Sequence, residues 1–399
     1  MEKKRPIITP ADDISRLPDD ILALILSQLS IKEAALTSTL SKRWEPIWKL
    51  ISILNFDEHS NNGVRHDFIS KLLDMHCGHI YSFRLQYHHY YRFNHYIDKW
   101  LEIVFRKRIQ VIELDFHTMV PQVYSFPRYS DYKCLTVLRL RHLKVTTDDV
   151  DHIIAASPLL EVLSIRNASE LLSFRIAGPS IKLKALELYY CFYLQSVEIS
   201  DCSHLVSFKY QGPRVIKCLN NVPLLSRLDL EAYRGSLCYA LSAFIIFFPR
   251  LKDLTLREAQ KSVEILETSP YIPFVLTNLR RLVLEVGVLR DLCLLKYTSL
   301  IKKSPFLREF VLRLFYEHEP VDRKCTKAAN SPHEHLKRVE IVGYCGCAIE
   351  HELARYLVEN AVKLEKIIIS PCSERKVEAT IKAKKLEKRL SQGAELVIH

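Results

Sequence analysis

Apolar residues recur along most of the chain in a triplet, with leucine-type residues at its first, fourth and sixth positions. Eleven triplets follow one another at intervals of 20 to 29 residues. The last two apolar positions alternate as strand residues do, and this period is typical of leucine-rich repeats. One repeat cannot bury its apolar side alone, so we expect neighbours to stack and their strands to form a curved parallel sheet. The triplets begin at Ile109, Leu135, Leu160, Leu183, Leu205, Leu225, Leu251, Leu279, Leu307, Leu336 and Leu364.

Repeat length changes along this array. Two further triplets begin at Leu171 and Leu194, about eleven residues from the main ones. Because this spacing leaves too little room for helices, it predicts extended or irregular return segments over 160–215. The longer repeats after residue 225 have room for helices, and the sequence predicts them at Cys238–Phe248 and Asp291–Lys302.

The N-terminal pattern is different, since residues 17–50 predict three short helices. Pro18 and the two aspartates after it suit the first turn of a helix. Ser30 and Glu33 have the spacing of a capping box, and a third helix follows Ser41. Three such helices cannot bury all their leucines, isoleucines and tryptophans among themselves. Part of this apolar surface must face a partner or the rest of the chain, and the sequence leaves both alternatives open.

The C-terminal part predicts a strand–helix–strand unit and then a basic helix. Glu350–Glu359 has apolar residues at helical spacing, and the strand Leu364–Ile369 follows. The predicted fold class is therefore α/β, a small helical head followed by repeats with a parallel sheet. We divide the chain into a head (12–55), a linker or cap of the array (56–108), repeats (109–331), a terminal unit (332–371) and a basic helical tail (372–399).

Composition excludes several classes of protein. With 48% hydrophobic and 26% charged residues, the chain is neither disordered throughout nor collagen-like. The apolar run Leu237–Phe248 is too short to span a bilayer, so we expect no membrane segment. The net charge of +11 is spread along the chain, and we interpret it mainly as a contribution to solubility.

The eleven cysteines are scattered, and no apolar signal segment is seen at the N-terminus. We therefore expect reduced thiols and a location in the nucleus, the cytoplasm or both. Several cysteines have a structural explanation. The third residue after the last strand position of a repeat turns inward, and a small side chain or thiol fits there. These positions are Ala168, Cys191, Cys202 and Ala259.

Candidate catalytic or ligand-binding motifs are incomplete, so we expect no catalytic residues, cofactor or metal. His351-Glu352 lacks a second histidine four residues on. Cys345 and Cys347, with histidines nearby, could form a metal cluster, but a loop between strand and helix is the default interpretation. The tyrosines and histidines of 87–91 could stack on RNA, although we favour a solvated loop before a helix at 96–106. We therefore expect nucleic acid not to be the partner.

The head resembles an F-box of the plant type, through Leu-Pro-Asp at 17–19 and Leu-Ser-Lys-Arg-Trp at 40–44, among other matches. The terminal unit resembles the FBD region of plant F-box/LRR-repeat proteins. The resemblance implies that the head binds a Skp-type adaptor, which connects to a cullin and a RING protein. On the family's pattern, the residues in or under the adaptor surface would be Leu17, Pro18, Ile21, Leu22, Ile25, Leu40 and Trp44.

The resemblance implies a non-catalytic substrate receptor of an SCF ubiquitin ligase, with the repeats holding an unidentified target protein. Charges of both signs interleave at the outward strand positions, and Arg280, Arg281 and Arg308 are the candidate contact for an acidic target. Two alternatives stay open. The chain could be an adaptor-bound scaffold that delivers no target, or a small-ligand sensor like the hormone-receptor F-box/LRR proteins, whose arrays are longer and have a basic cofactor pocket.

Overall fold

The computed structural model divides the chain into two compact units, residues 1–164 and 165–399. No helix in the described part combines the length and the apolar character needed to cross a membrane. The structure describes residues 14–40, 42–57, 66–87, 94–116, 124–129, 132–213, 215–232, 244–258, 275–288, 294–316 and 331–399.

The first unit begins with the helical head. Its three helices are α1 (Asp19–Leu26), α2 (Ile31–Leu36) and α3 (Trp44–Ile47), and α3 continues into a 3₁₀ turn. The predicted capping box is confirmed at α2. The Ser30 hydroxyl accepts a hydrogen bond from the Glu33 backbone N–H at 3.3 Å, and the Glu33 carboxylate accepts one from the Ser30 N–H at 2.9 Å.

A parallel sheet fills the rest of the first unit, with strand order β1-β2-β3-β4. Apolar residues pair directly across it, as Leu54 does with Phe83 and Ile112 with Leu138. Helices α4, α5 and α6 lie between these strands in sequence. Their bounds are β1 Ile53–Asp57, α4 His66–Met75, β2 Ser82–Gln86, α5 Asn94–Arg106, β3 Val111–Asp115, β4 Val137–Arg141 and α6 Thr147–Ala156.

The boundary that we predicted between linker and repeats is too late in the chain. Residues 56–108 contain most of two full repeats, since β1 and β2 already pair in parallel with the sheet. Phenylalanine replaces leucine at one inward position of each strand, Phe56 and Phe83, and both are buried. The triplet spacing is nevertheless present, because Ile51 and Ile80 stand three residues before the strands' first inward positions.

The second unit has two parallel sheets. The larger runs β7-β9-β11-β12-β13-β14-β15-β16-β17, and the smaller is β10-β8-β6. The strands are β5 Val162–Arg166, which spans the boundary between the units, β6 Ser173–Ala177, β7 Ala185–Tyr189, β8 Ser196–Ser200, β9 Ser207–Gly212, β10 Ile216–Asn220, β11 Arg227–Ala232, β12 Asp253–Glu258, β13 Arg281–Val288, β14 Glu309–Tyr316, β15 Arg338–Tyr344, β16 Lys366–Pro371 and β17 Glu395–Ile398.

The extra triplets predicted an extended return path over 160–215, and this is confirmed. The triplets at Leu171 and Leu194 end in β6 and β8, which form the smaller sheet. Of the predicted helix Asp291–Lys302, the described residues form a 3₁₀ turn and α7 (Thr298–Lys302). Residues 238–243 of the other predicted helix lie outside the described part, and a 3₁₀ helix covers Ile245–Arg250.

The C-terminal prediction is confirmed for the terminal unit and incomplete for the tail. Helix α8 (Ala348–Asn360) lies between β15 and β16 as expected. The tail has one helix, α9 (Lys376–Lys384), but it ends in β17, which pairs with β16. Residues 372–399 are therefore a last repeat and not only a basic helix.

Buried apolar ladders hold the larger sheet of the second unit together. Inward residues of successive strands are in direct register, and they are almost fully excluded from solvent. Dispersion contacts and the burial of apolar surface therefore accumulate along the ladder, strand by strand. One ladder runs through Leu228, Leu254, Leu282, Phe310, Val339 and Ile367.

The inward turn positions are confirmed for Ala168, Cys191 and Cys202, which are all buried. Each follows a residue in the left-handed region, for example Tyr190 at φ 58°. Burial raises the pKa of the Cys191 and Cys202 thiols to about 11, so both are unreactive packing groups at neutral pH. Ala259 lies outside the described residues.

Candidate protein-interaction surfaces

The helical head exposes large apolar side chains along α1 and after it. Helix α1 turns Leu22 and Leu26 into the core, four residues apart, and its remaining apolar residues face outward. Helix α1 is apolar on nearly all sides, but the rest of the chain covers only the stripe of Leu22 and Leu26. The exposed fractions are 40% for Ile21, 59% for Leu24, 44% for Ile25, 43% for Leu29, 59% for Leu36 and 69% for Leu40.

The seven residues assigned to the adaptor surface by resemblance divide into two groups. Four are exposed, namely Pro18, Ile21, Ile25 and Leu40, and Leu17 is half-buried. Leu22 and Trp44 are buried and belong to the layer underneath. They can support a binding surface, but they cannot make extensive contact with a partner unless the head rearranges.

Sequence reasoning left three exposed leucines out of that set, Leu24, Leu29 and Leu36. Their exposure could not be read from the apolar pattern, because the pattern does not say which stripe of each helix is turned inward. The stripe is fixed by contacts between helices. The Arg43 guanidinium, just before α3, donates a hydrogen bond to Asp19 at 2.8 Å and another to the carbonyl of Leu17.

The motifs singled out for metal or catalysis have structural partners. Cys345–Cys347 form the loop between β15 and α8, as predicted, and the Glu350 carboxylate accepts hydrogen bonds from their backbone N–H groups. His351 lies 3.1 Å from the Tyr344 hydroxyl and His333 lies 3.0 Å from that of Tyr356. Across the described ranges, no group of three or more histidine, cysteine or acidic residues could hold a metal ion.

Of the aromatic segment considered for RNA stacking, Tyr87 is buried and residues 88–91 lie outside the described part. The helix predicted after it is present as α5. A buried tyrosine has no free face for a base, so Tyr87 gives no support to RNA binding.

The arginines predicted to contact an acidic target are close together but partly engaged. Arg281 and Glu309 are directly opposite on β13 and β14, with 3.1 Å between Nε and Oε2. The Arg280 guanidinium lies 5.6 Å from the centre of the Phe306 ring, and Arg308 is exposed. The arrangement leaves less free positive charge than the sequence suggested, and target binding by this cluster stays a prediction.

Farther along the same strands lies an ion-pair network centred on Arg257. Its Nε is 2.7 Å from Glu285, and its Nη1 is 2.7 Å from the Tyr189 hydroxyl and also bonds Asp229. Burial lowers the pKa of Arg257, but the neighbouring carboxylates more than compensate, and the net shift is upward. The residues come from four strands far apart in sequence, so the sequence offered no direct signal for the network.

Comparisons with known proteins agree with this architecture. An F-box domain matches residues 14–55. The family described as At1g61320/AtMIF1, LRR domain, matches residues 128–395, which is more than half of the chain. The chain belongs to this leucine-rich-repeat family.

Relatives with both parts align over nearly the whole chain. F-box/FBD/LRR-repeat protein At5g53840 of Arabidopsis thaliana is 26% identical over 432 residues, which covers 97% of this chain and 95% of the relative. F-box/FBD/LRR-repeat protein At5g56420 of the same plant is 25% identical and covers 92% and 93%. The predicted F-box/LRR family and α/β fold class are therefore confirmed. F-box domains generally bind Skp1-type adaptors, and proteins of this kind are typically non-catalytic.

Proposed function

We propose that this chain is the substrate-recognition subunit of a Skp–cullin–F-box ubiquitin ligase. The F-box head binds a Skp-type adaptor, and the repeats bind a target protein for ubiquitination. The observation that carries the proposal is the exposed apolar surface of the head. Ile21, Leu24 and Ile25 lie three and four residues apart on α1, so they form one continuous patch that water does not favour.

Burial of this patch can supply the adaptor affinity. Covering one isoleucine or leucine side chain stabilises a complex by roughly 1.5–3 kcal/mol, before the costs of association. Several such residues on one face would be enough for a specific complex. Leu22 and Trp44 support it from below, because both are packed under the surface.

The mechanism needs positioning and no chemistry from this chain. The adaptor and cullin place a charged ubiquitin-conjugating enzyme near the target, and the repeats hold the target within its reach. Tethering replaces a dilute encounter with a high effective concentration, which accelerates the transfer. We also propose that this happens in the nucleus or the cytoplasm, where buried thiols such as Cys191 stay reduced.

The first test measures adaptor affinity of a double variant, Ile21→Ala with Ile25→Ala. Because both side chains are already exposed in the free chain, their truncation should weaken the complex without unfolding the head. We expect the dissociation constant for a purified Skp-type adaptor to rise on the order of 10²–10⁴-fold. Biolayer interferometry with the full chain measures it.

A matched control is available on α9, where Val377 and Ile381 are also exposed and four residues apart. The variant Val377→Ala with Ile381→Ala should bind the adaptor as the wild type does. Thermal unfolding of both variants verifies that they fold. An Ile21, Ile25 variant that binds within threefold of the wild type would contradict the proposal.

Delivery of a target is a separate question from adaptor binding, and the same double variant addresses it. In cells with the proteasome inhibited, a target should accumulate on the variant bait, while its ubiquitin-modified form should require the intact head. A bound protein whose modification is the same with both baits would indicate a scaffold instead of a receptor.

A further inference from the structure

A cavity of about 510 Å³ opens in the second unit, towards the carboxyl ends of the strands β7, β9 and β11–β14. Side chains from these six parallel strands line it. Aromatic rings and carboxylates predominate, so the lining has flat apolar walls and negative charge. The lining includes Tyr190, Gln211, Glu231, Arg257, Glu258 and Glu285.

The cations near the cavity are already engaged by other carboxylates. Arg257 is held between Asp229 and Glu285, and Arg313 contacts Glu285 at 2.7 Å. Lys296 lies 3.6 Å from Glu258. Glu231 is different, because no cation of the described residues comes within ion-pair distance of it. One carboxylate of the lining therefore keeps its negative charge uncompensated by direct contact.

A second, independent feature is the amide of Gln211. This side chain is only 2% exposed, and its Oε1 has no hydrogen-bond partner within the described part of the chain. Gln211 stands directly opposite Glu231 on β9 and β11, and its amide lowers the pKa of that carboxyl group. Only the NH₂ group can donate to a carboxylate, so the amide oxygen is left to accept from something else. Buried acceptors are seldom left unpaired, and this one lines a cavity.

The walls suit a planar cation. Tyr190, which directly follows β7, is about half exposed, so part of its ring is available for contact. Arginine guanidinium groups stack on aromatic faces and offer five N–H donors in one plane, whereas an ammonium is a strongly hydrated point charge. The acceptors Glu231 and Gln211 lie side by side, so a planar group with several donors can satisfy both.

We propose that this cavity binds an arginine side chain from a segment of the target protein. The guanidinium donates hydrogen bonds to the Glu231 carboxylate and to Gln211 Oε1, and its plane packs against Tyr190. The proposal rests on the proposed function, since it names what the repeats recognise.

The partial burial of the Glu231 carboxyl group supports a binding role. Burial raises the pKa of this group, and the attraction of Arg257 offsets this only in part. An ionised Glu231 therefore destabilises the folded chain at neutral pH, and the expected gain from replacing it is a higher melting temperature. A residue that costs stability where it stands is typical of a ligand site.

The test uses a nine-residue glycine–serine peptide with arginine at its centre and the same peptide with citrulline. Citrulline has nearly the same shape but no charge. We expect the full chain to bind the arginine peptide at least tenfold more tightly, measured by saturation-transfer NMR titration. Glu231→Gln and Gln211→Leu should each reduce the affinity about tenfold, and Glu231→Gln should also raise the melting temperature.

Glu340→Gln is the matched control, since it removes the same charge from another strand of the same sheet, outside the cavity. It should bind the arginine peptide as the wild type does. Equal binding of the arginine and citrulline peptides, equal binding of a lysine peptide, no arginine binding up to 10 mM, or an unaffected Glu231→Gln variant would each overturn the proposal. The peptide assay contains no adaptor, so its outcome is independent of whether the head binds one.

Discussion

A single buried carboxyl group, Glu350, shows how local chemistry fixes a loop. It is almost fully buried and accepts hydrogen bonds from the N–H groups of Cys345, Gly346 and Cys347 at 2.9, 2.7 and 3.1 Å. Burial raises its pKa to about 7, although the three N–H donors favour the ionised form. The loop that resembled a metal site in sequence is instead organised around one acid.

This raised pKa makes stability depend on pH. Below the ordinary pKa of 4.5, Glu350 is protonated in both the folded and the unfolded state. Its contribution to the free energy of unfolding is then fully present. Between pH 4.5 and 7 the unfolded state loses the proton first, and the contribution falls as pH rises, by about 3 kcal/mol in total. Melting temperatures at pH 4.5 to 7.5 should therefore decline more steeply for the wild type than for Glu350→Gln.

Comparing the melting temperatures of the wild type and of Glu350→Gln separates the effect of Glu350 from that of other titrating groups. His333, for example, has its pKa lowered to about 4 by burial and acts in the same pH range, but it is present in both. Parallel melting curves for wild type and variant across this range would contradict the assignment. Such a buried acid is not visible in the sequence, because its neighbours are set by the turn before α8.

At the scale of the element, α1 illustrates what sequence can and cannot decide. Its start at Pro18 and the capping box of α2 were predicted from residue types at fixed spacing. The sequence did not predict which side of α1 faces inward, because the helix is apolar nearly all round. The inward stripe Leu22–Leu26 is selected by the helices and 3₁₀ turns that pack on it, and these contacts are long-range.

The two sides of α1 should respond differently to truncation. Leu22→Ala leaves a cavity in the head and should destabilise it by about 2–5 kcal/mol, whereas Ile25→Ala should cost under about 1 kcal/mol. The three tryptophans at 44, 48 and 100 all belong to the first unit, so urea unfolding followed by tryptophan fluorescence reports on that unit. Similar midpoints for both variants would show that α1 packs with a different face inward.

Most strands were predictable from the triplets, and a few were missed for different reasons. The triplets predicted the strands from β3 to β9 and from β11 to β16. Strands β1 and β2 were missed although triplets from Ile51 and Ile80 are present. Phenylalanine at an inward position is no obstacle, since Phe310 has the same place in the triplet of Leu307 as Phe83 has in its own. Strand β17 was missed because it is only four residues long and follows a strongly basic helix. Pairing with β16 stabilises β17, although the sequence of β17 alone is a weak indication of a strand.

At the scale of the molecule, each stacked repeat protects the edge of the one before it. In the second unit β17 covers the backbone of β16, pairing Ile367 with Leu396. An uncovered edge of a parallel sheet presents unpaired N–H and C=O groups and promotes association between chains. The prediction is that replacing residues 391–399 by a glycine–serine segment of equal length lowers the melting temperature and causes self-association.

Light scattering and differential scanning fluorimetry would measure these two effects. The Val377→Ala, Ile381→Ala chain is the control, because it reduces exposed apolar surface nearby and leaves β17 paired. A replaced chain that stays monomeric with an unchanged melting temperature would mean that β17 contributes no edge protection.

The cavity was less predictable from the residue pattern than the sheet that builds it. Tyr189 and Phe315 are separated by 126 positions, and strand order and register alone bring them to one place. Periodicity predicts that such residues face outward from strands, but it does not predict which charges cancel. Charges of both signs were recognised at outward positions, but neither Glu231 nor Arg257 was singled out.

The alternation of strands between two sheets restricts how this family can vary in length. From β6 to β11, consecutive strands join the smaller and the larger sheet in turn, and those of the smaller sheet start at residues 173, 196 and 216. An insertion of one strand would send every later strand to the wrong sheet and turn its apolar residues towards water. Related chains should therefore gain or lose a complete winding here, some 20 to 23 residues at a time, and tolerate smaller changes only in the turns.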